Sequence, residues 1–360
     1  MKTGIANLPL HYGSTPRWLF EKMTVLAREI SLVIILEYGI GEYLKKLANP
    51  NWFQAFGCVL GFDWHSSGLT TTTCGAIKEG LRPLQKDLGL FVCGGKGKAS
   101  RKTPQELEDL GQKFSFDAKP LVYASRISAK VDNNALQDGY QLYHHTFFVT
   151  KDGQWAVIQQ GMKPPTGSGQ VGWARRYHWL SDNVSDFVNE PHSGIASEIL
   201  NLKFKILNLT ASESKNNRNI STKLSWQKPE RTIKILKKLQ ESRLPARHHL
   251  LLSDINPQKL EKIFLKTYEK QPKSFEALLG MSGVGAKTLR ALSLISELVY
   301  GAPVSTRDPA RFSFAHGGKD GIPYPVNRQT YDQSIEFLRQ AVNKAKIGYW
   351  EKLHILRKLC

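Results

Sequence analysis

Cysteine is scarce in this 360-residue chain, which holds four: Cys58, Cys74, Cys93 and Cys360. Their separations match no paired metal-ligand spacing, and so few in so long a chain do not make a disulfide framework. A reduced, cytoplasmic protein is the expectation. Long apolar runs are also missing. The most apolar stretch, Ile30 to Leu36, falls far short of the roughly 20 residues that span a bilayer. The opening residues MKTGIANLPLHYG lack the apolar core of a secretory signal, so no membrane partner is expected. Acid is in short supply as well: 31 carboxylates face 50 lysines and arginines, for a net charge of +19. An imbalance that large implies a polyanionic partner. With 41% hydrophobic and 22% charged residues, the composition is that of a soluble globular protein, long enough for two domains with cores of their own.

The charge is segregated. Residues 1–200 carry 21 basic and 18 acidic side chains, whereas residues 201–360 carry 29 and 13. A one-sided excess reads as a docking surface for nucleic acid, against the alternative of a merely solvated basic face. Residues 211–227 are polar and without clear periodicity, which predicts a linker. It would join a mixed α+β domain over 1–210, the expected catalytic half, to a helical domain over 228–360. The fold class expected is therefore α+β.

In the first half, helical spacing of Trp18, Leu19, Met23, Leu26, Ile30, Val33 and Ile34 predicts a helix from Pro16 to Leu47, interrupted near Gly39 and Gly41. Residues 93–104 (CGGKGKASRKTP) read as a basic loop, and Leu121 to Ile127 as a strand. The clearest pattern is a β-hairpin, YHHTFFVT and QWAVIQQ around a turn at Lys151, Asp152 and Gly153. Alternation puts His145, Phe147 and Val149 on one face. Trp155, Val157 and Gln159 share a face of the second strand, and Ala156, Ile158 and Gln160 the other.

The second half predicts helices at Pro229–Glu241, Pro257–Glu269, Ser274–Leu279, Ala286–Tyr300 and Tyr331–Lys346. Between the third and fourth lies Leu279-Gly280-Met281-Ser282-Gly283-Val284-Gly285-Ala286-Lys287-Thr288. Glycines at 283 and 285 free the backbone and remove side chains that would keep a phosphate away. The helix start behind them offers unpaired N–H groups to an anion. Such contacts hold a nucleic-acid backbone without reading sequence. The alternative is a tight packing corner. Gly283, Gly285, Lys287, Thr288 and Arg290 are the expected contacts, with Arg176 and Lys319 supplying charge from elsewhere.

This segment resembles the helix-hairpin-helix of base-excision DNA glycosylases. That resemblance implies a lysine nucleophile two residues after the second glycine, where Lys287 stands, and a Pro-Val-Asp segment after the next helix. Here Ala302-Pro303-Val304 is followed by Ser305 instead of the aspartate, and Asp308 comes three residues later. Lys287 reads either as a nucleophile or as a phosphate contact. Asp308 reads as a substitute carboxylate or as a turn residue before Pro309.

Chemistry-bearing side chains in the first half are Asp63 with His65, Asp138, His144 with His145, Gln159, Arg175 and His178. Their convergence would supply a general base, a phosphate clamp from Arg175 and Arg176, and carboxylates for Mg²⁺ or Mn²⁺. Asp63 with His65 is the leading pair. No Cys or His spacing suits structural zinc, and Gln159, Gln160 and Lys163 match a metal-nuclease hairpin poorly. The run Arg175-Arg176-Tyr177-His178-Trp179 suits base stacking beside phosphate contacts or, equally, a cation–π corner in the core.

Several stretches together resemble one prokaryotic family catalogued as a domain of unknown function, number seven hundred and sixty-three. They are Leu8-Pro9-Leu10-His11, Trp52-Phe53-Gln54-Ala55, Gly61-Phe62-Asp63-Trp64-His65-Ser66-Ser67-Gly68, Ile158-Gln159-Gln160-Gly161-Met162, Arg175–Trp179 and Phe314-Ala315-His316-Gly317-Gly318-Lys319-Asp320-Gly321. The resemblance implies a cytoplasmic protein and supplies no reaction. The reading overall is a DNA repair or processing protein acting on single-stranded, branched or damaged DNA. It is expected to be a structure-specific nuclease; the alternatives are a DNA glycosylase or abasic-site lyase using Lys287 and a non-catalytic structure-specific DNA-binding protein.

Overall fold

A computed structural model of the chain describes residues 15–61, 68–163, 173–197, 206–313 and 328–348, with Lys352 and Leu356. From the amino end come α1 (Arg17–Tyr38), α2 (Ile40–Ala48), α3 (Pro50–Val59), α4 (Gly68–Leu81) and the single turn α5 (Gln85–Leu88). Strand β1 (Leu90–Lys96) precedes α6 (Lys98–Phe114) and α7 (Lys119–Lys130). A π-helical turn (Val131–Ala135) and β2 (Leu136–Gln137) lead to β3 (Gln141–Thr150), β4 (Trp155–Lys163), β5 (Trp173–Leu180), β6 (Gly194–Ser197) and β7 (Leu207–Asn208). Then come α8 (Lys215–Leu224), α9 (Pro229–Glu241), α10 (Ala246–Ser253), α11 (Pro257–Lys270), α12 (Phe275–Gly280) and α13 (Ala286–Tyr300). Strand β8 (Phe312–Ser313) and α14 (Arg328–Lys344) complete the order. The fold is α+β, as the sequence predicts. No helix among the described residues is long and apolar enough to cross a membrane.

The main sheet runs β1-β3-β4-β5-β6-β8, antiparallel except for the parallel pairing of β6 with β8. The small β2–β7 sheet lies apart from it. Both faces of the main sheet are covered, so alternate residues enter two different cores. Phe91, Phe147, Val157, Tyr177 and Trp179 join the core with α6, α7, α9 and α13. Val92, Phe148, Ala156, Ile158 and Leu180 join the other, with α1 to α4 and α14. The hairpin faces read from alternation are the faces observed. Register sets His145 opposite Gln159, and Gln159 opposite Tyr177. The register of β3 shifts between Leu142 and His144, a bulge that re-aims the strand beside His145.

Several segments differ from the sequence expectation. Residues 121–127 are helical, within α7, where Pro120 supplies a preset φ in the first turn. The short LVYASRI window hides the longer helical spacing of Leu121, Ala124, Ile127 and Val131, all buried in one core. The basic loop at 93–104 is instead the end of β1 and the start of α6. Pro104 lies inside α6 and leaves the Ser100 carbonyl without its helical donor. The Thr103 hydroxyl donates to that carbonyl at 2.9 Å. The linker segment holds α8, whose Asn217 donates to the carbonyls of Ser293 and Ala302 (3.0 and 2.7 Å). Its polar composition reflects buried hydrogen bonding: Asn217, Arg218, Ser221 and Thr222 are all buried.

Candidate functional site

The turn between α12 and α13 is built to leave its backbone bare. Ser274 caps α12, its hydroxyl accepting from the Ala277 amide at 3.0 Å. The chain then turns through Met281–Gly285, pinned by buried Val284. Gly283 sits at φ +91°, a left-handed conformation that glycine adopts at least cost. A side chain on Gly285 would meet nothing within 4 Å, so that position faces open space. No side chain caps α13, and the N–H groups of its first turn have no intrahelical acceptors. They carry the positive end of the helix dipole.

Neighbouring elements brace this turn. Lys130 of α7 donates to the carbonyls of Leu279 and Met281 at 2.8 and 2.7 Å. Gln137 donates to the Ala286 carbonyl at 2.8 Å. Lys287 is exposed and donates to the Asp254 carbonyl at 2.9 Å. Arg290 is held by Gln137 and the Asp254 carboxylate, both at 2.7 Å. Thr288, expected to contact DNA, is buried and unavailable. Ile263 of α11 is the side chain nearest Gly283, which brings exposed Lys259, Lys262 and Lys266 of the same helix alongside.

The remaining sequence candidates divide sharply. Asp63, His65 and Lys319, with the stretch 314–321, lie outside the described residues. Arg175 and Arg176 are buried, so neither is a surface phosphate contact, and the stacking reading of residues 175–179 gives way to the core one. Arg175 pairs with Asp138 (3.0 Å) and Asp308 (2.9 Å) and lies over the Tyr140 ring. Burial opposes its charge, but Asp138 and Asp308 prevail and raise its pKa. Tyr177 also donates to Asp138 at 2.8 Å. Asp308 caps its own turn, accepting from the Ala310 amide at 2.9 Å. The carboxylate that a Lys287 lyase would need thus serves Arg175, while Lys287 turns to Asp254.

On the opposite face, Arg176 donates to Gln54, Thr70, the Pro50 carbonyl and His178, and lies over the Phe53 ring. Burial lowers its pKa to about 9. His178 is sealed in this core with its Nδ1 on the Leu47 carbonyl at 2.9 Å, and burial drives its pKa well down. It does not join Asp138 or His145.

His145 and Gln159 do come together, in a chain of hydrogen bonds that the sequence did not disclose. Asp132, buried on the π-helical turn, accepts from Gln159 Nε2 (2.6 Å) and Trp179 Nε1 (2.9 Å), and bonds His192. Because Gln159 gives its amide N–H to that carboxylate, its Oε1 is the acceptor facing His145 Nδ1 at 3.0 Å. Nδ1 therefore carries the proton. Nε2 is left bare and accepts the Ser125 hydroxyl at 2.9 Å. Burial, partly offset by Gln159, takes the His145 pKa down to about 4. The ring is neutral at physiological pH.

Ser125 and His145, both buried, are among the lining of a cleft of about 560 Å³ formed by α6, α7, β3 and Gly280 at the end of α12. Arg101, Arg126, Lys130, Asn133 and Gly280 line it, and among the described residues no carboxylate does. Among the described residues, no group of three or more His, Cys, Asp or Glu is gathered as a metal site requires. No Mg²⁺ or Mn²⁺ position follows from the described carboxylates, since Asp132 and Asp138 are already committed. Ser125 and Asp132 were not foreseen; the available signal was a serine on the apolar stripe of α7.

No curated protein and no solved structure matches the chain. The profile of a family described as Protein of unknown function (DUF763) matches residues 4–326, the greater part of its length. The chain therefore belongs to that family.

Proposed function

We propose that this protein binds nucleic acid by its phosphate backbone, using α12, the Met281–Gly285 turn and α13 as a helix-hairpin-helix, in the context of DNA repair or processing. The observation that carries this reading is the bare, solvent-facing turn at Gly283 and Gly285 leading into an uncapped helix. Amides at such a helix start favour an anion through hydrogen bonds and the dipole. The exposed lysines of α11 lie beside the turn and would meet flanking phosphates. A grip of this kind gives register without sequence preference and weakens as salt displaces it.

Gly285 permits a clean test. Its φ of −128° is open to any residue, and a side chain there meets nothing. Gly285→Asp sets a carboxylate where the phosphate would sit, while improving the cap of α13 by roughly a few tenths of a kcal/mol. Anisotropy titration with single-stranded and duplex oligonucleotides is expected to show affinity falling as salt rises, and at least a roughly 10-fold loss in the variant at unchanged or higher Tm. Equal affinity of variant and parent, or affinity indifferent to salt, removes the proposal.

A further inference from the structure

We propose that Ser125 is a nucleophile, activated by His145, and that the cleft above it cleaves phosphate esters of the strand that the hairpin holds. The geometry of the hydrogen bonds carries this. Serine is a weak nucleophile until a neighbouring base can take its proton, and His145 Nε2 is the bare nitrogen receiving the Ser125 hydroxyl at 2.9 Å. Gln159 and Asp132 are positioning residues: they fix the ring by its other nitrogen and so fix its tautomer. The bond from Gln159 is itself set by strand register, since His145 and Gln159 are direct cross-strand partners. A π-helical turn carrying Asp132 is a rare conformation, frequently met at functional sites.

The cleft defines the chemical class. Arg101 and Arg126 are exposed side chains that line it, and among the described residues no aspartate or glutamate does. Two guanidiniums lining the same cleft as a serine–histidine pair suit a phosphoryl group, whose equatorial oxygens they would neutralise as charge develops. The identity of that phosphoryl group as a nucleic-acid diester rests on the binding reading above. Its structural support is continuity: Gly280 lines the cleft, and Lys130 reaches from the cleft to the carbonyls of Leu279 and Met281.

The reaction balances without an outside reductant or oxidant. Ser125 Oγ attacks phosphorus as its proton passes to His145 Nε2. The bond from phosphorus to the departing sugar oxygen breaks, and that oxygen takes the proton from His145. Water then attacks the phosphorus of the seryl phosphodiester, giving a proton to the same nitrogen; the bond from phosphorus to Ser125 Oγ breaks, Oγ takes that proton, and the strand leaves with a terminal phosphate monoester.

The test treats the full chain with a fluorophosphonate probe and maps the adduct by peptide mass spectrometry. Hydrolysis of bis(para-nitrophenyl) phosphate and of an end-labelled single strand is followed in parallel. The expected result is a Ser125 adduct in the parent and none in Ser125→Ala. Ser125→Ala is expected to lose both hydrolyses by about 100-fold or more while still binding the strand. Gly285→Asp is expected to lose strand cleavage together with strand binding. An unlabelled Ser125 in the folded parent, or hydrolysis unchanged in Ser125→Ala, overturns the inference and leaves the binding reading standing. Labelling and small-diester hydrolysis without any strand binding leaves Ser125 as nucleophile and overturns the assignment of a nucleic-acid substrate.

Discussion

Three histidines, His144, His145 and His178, are buried in the main sheet as neutral rings. Burial lowers the first two to about 3 and about 4, and His178 falls well below the ordinary value of 6.5. As pH drops from 6.5 toward 4, the unfolded chain takes up protons that these rings refuse. Stability therefore falls with pH across that window and is fully present only above 6.5. Each ring contributes up to about 1.4 kcal/mol per pH unit. Thermal unfolding followed from pH 7 to pH 5 is expected to show Tm falling, and His144→Gln is expected to flatten the slope by about one proton. An identical slope in the variant contradicts a neutral His144. Burial of Arg175 was one of two equal readings of residues 175–179 in the sequence. An arginine inside a β-rich run looks like a surface contact until Asp138 and Asp308, 37 and 133 residues away, arrive to neutralise it.

Among elements, β1 depends on one position. Gly94 adopts φ +83°, and a Cβ there would lie 2.2 Å from the His145 carbonyl oxygen and 2.4 Å from Thr103 Oγ1. Its amide donates to Glu106, whose carboxylate also pairs with Lys78, and Lys78 reaches the Gly94 carbonyl; these contacts are 2.8–2.9 Å. Backbone strain and a clash with main chain act together, so Gly94→Ala is expected to cost about 2 kcal/mol or more by denaturant titration. A loss below about 0.5 kcal/mol means the strand edge yields more easily than the contacts indicate. Legibility followed periodicity. The β3–β4 hairpin, its faces, and helices α9 and α13 were readable because apolar spacing repeats over enough residues. Segments 93–104 and 211–227 were misread because glycine and polar residues mark loops by composition, whereas here they serve close approach and buried hydrogen bonds. The bare turn after α12 was legible as spacing. The Ser125-to-Asp132 chain was not, because it draws on α7, a π-helical turn and two strands that meet only in the folded molecule.

At the scale of the whole molecule, the hairpin side and the sheet share one apolar cluster that runs from Phe91 to Val304. Helix α8, which composition makes a linker, packs against α13 within it. Native-state trypsin digestion is accordingly expected to spare the bond after Arg218, which is buried and bound to the carbonyls of Leu209 and Ala211. Rapid cleavage there, before any global loss of structure, contradicts this packing. Most of the positive excess belongs to the half that carries the turn, with seven exposed lysines on α9 and α11 (Lys234, Lys237, Lys238, Lys259, Lys262, Lys266 and Lys270).

Helix α14 returns to the far side of the sheet, where Phe337 meets the rings of Tyr38 and Trp52 and lies under the Lys46 ammonium. Gln340 and Lys344 bond Tyr38 and Glu37 at the end of α1. The polypeptide is thus buckled, its last described helix fastened over its first. Shortening the protein upstream of Arg328 would strip that clasp and leave a greasy scar around Trp52, far from the turn that is meant to meet phosphate.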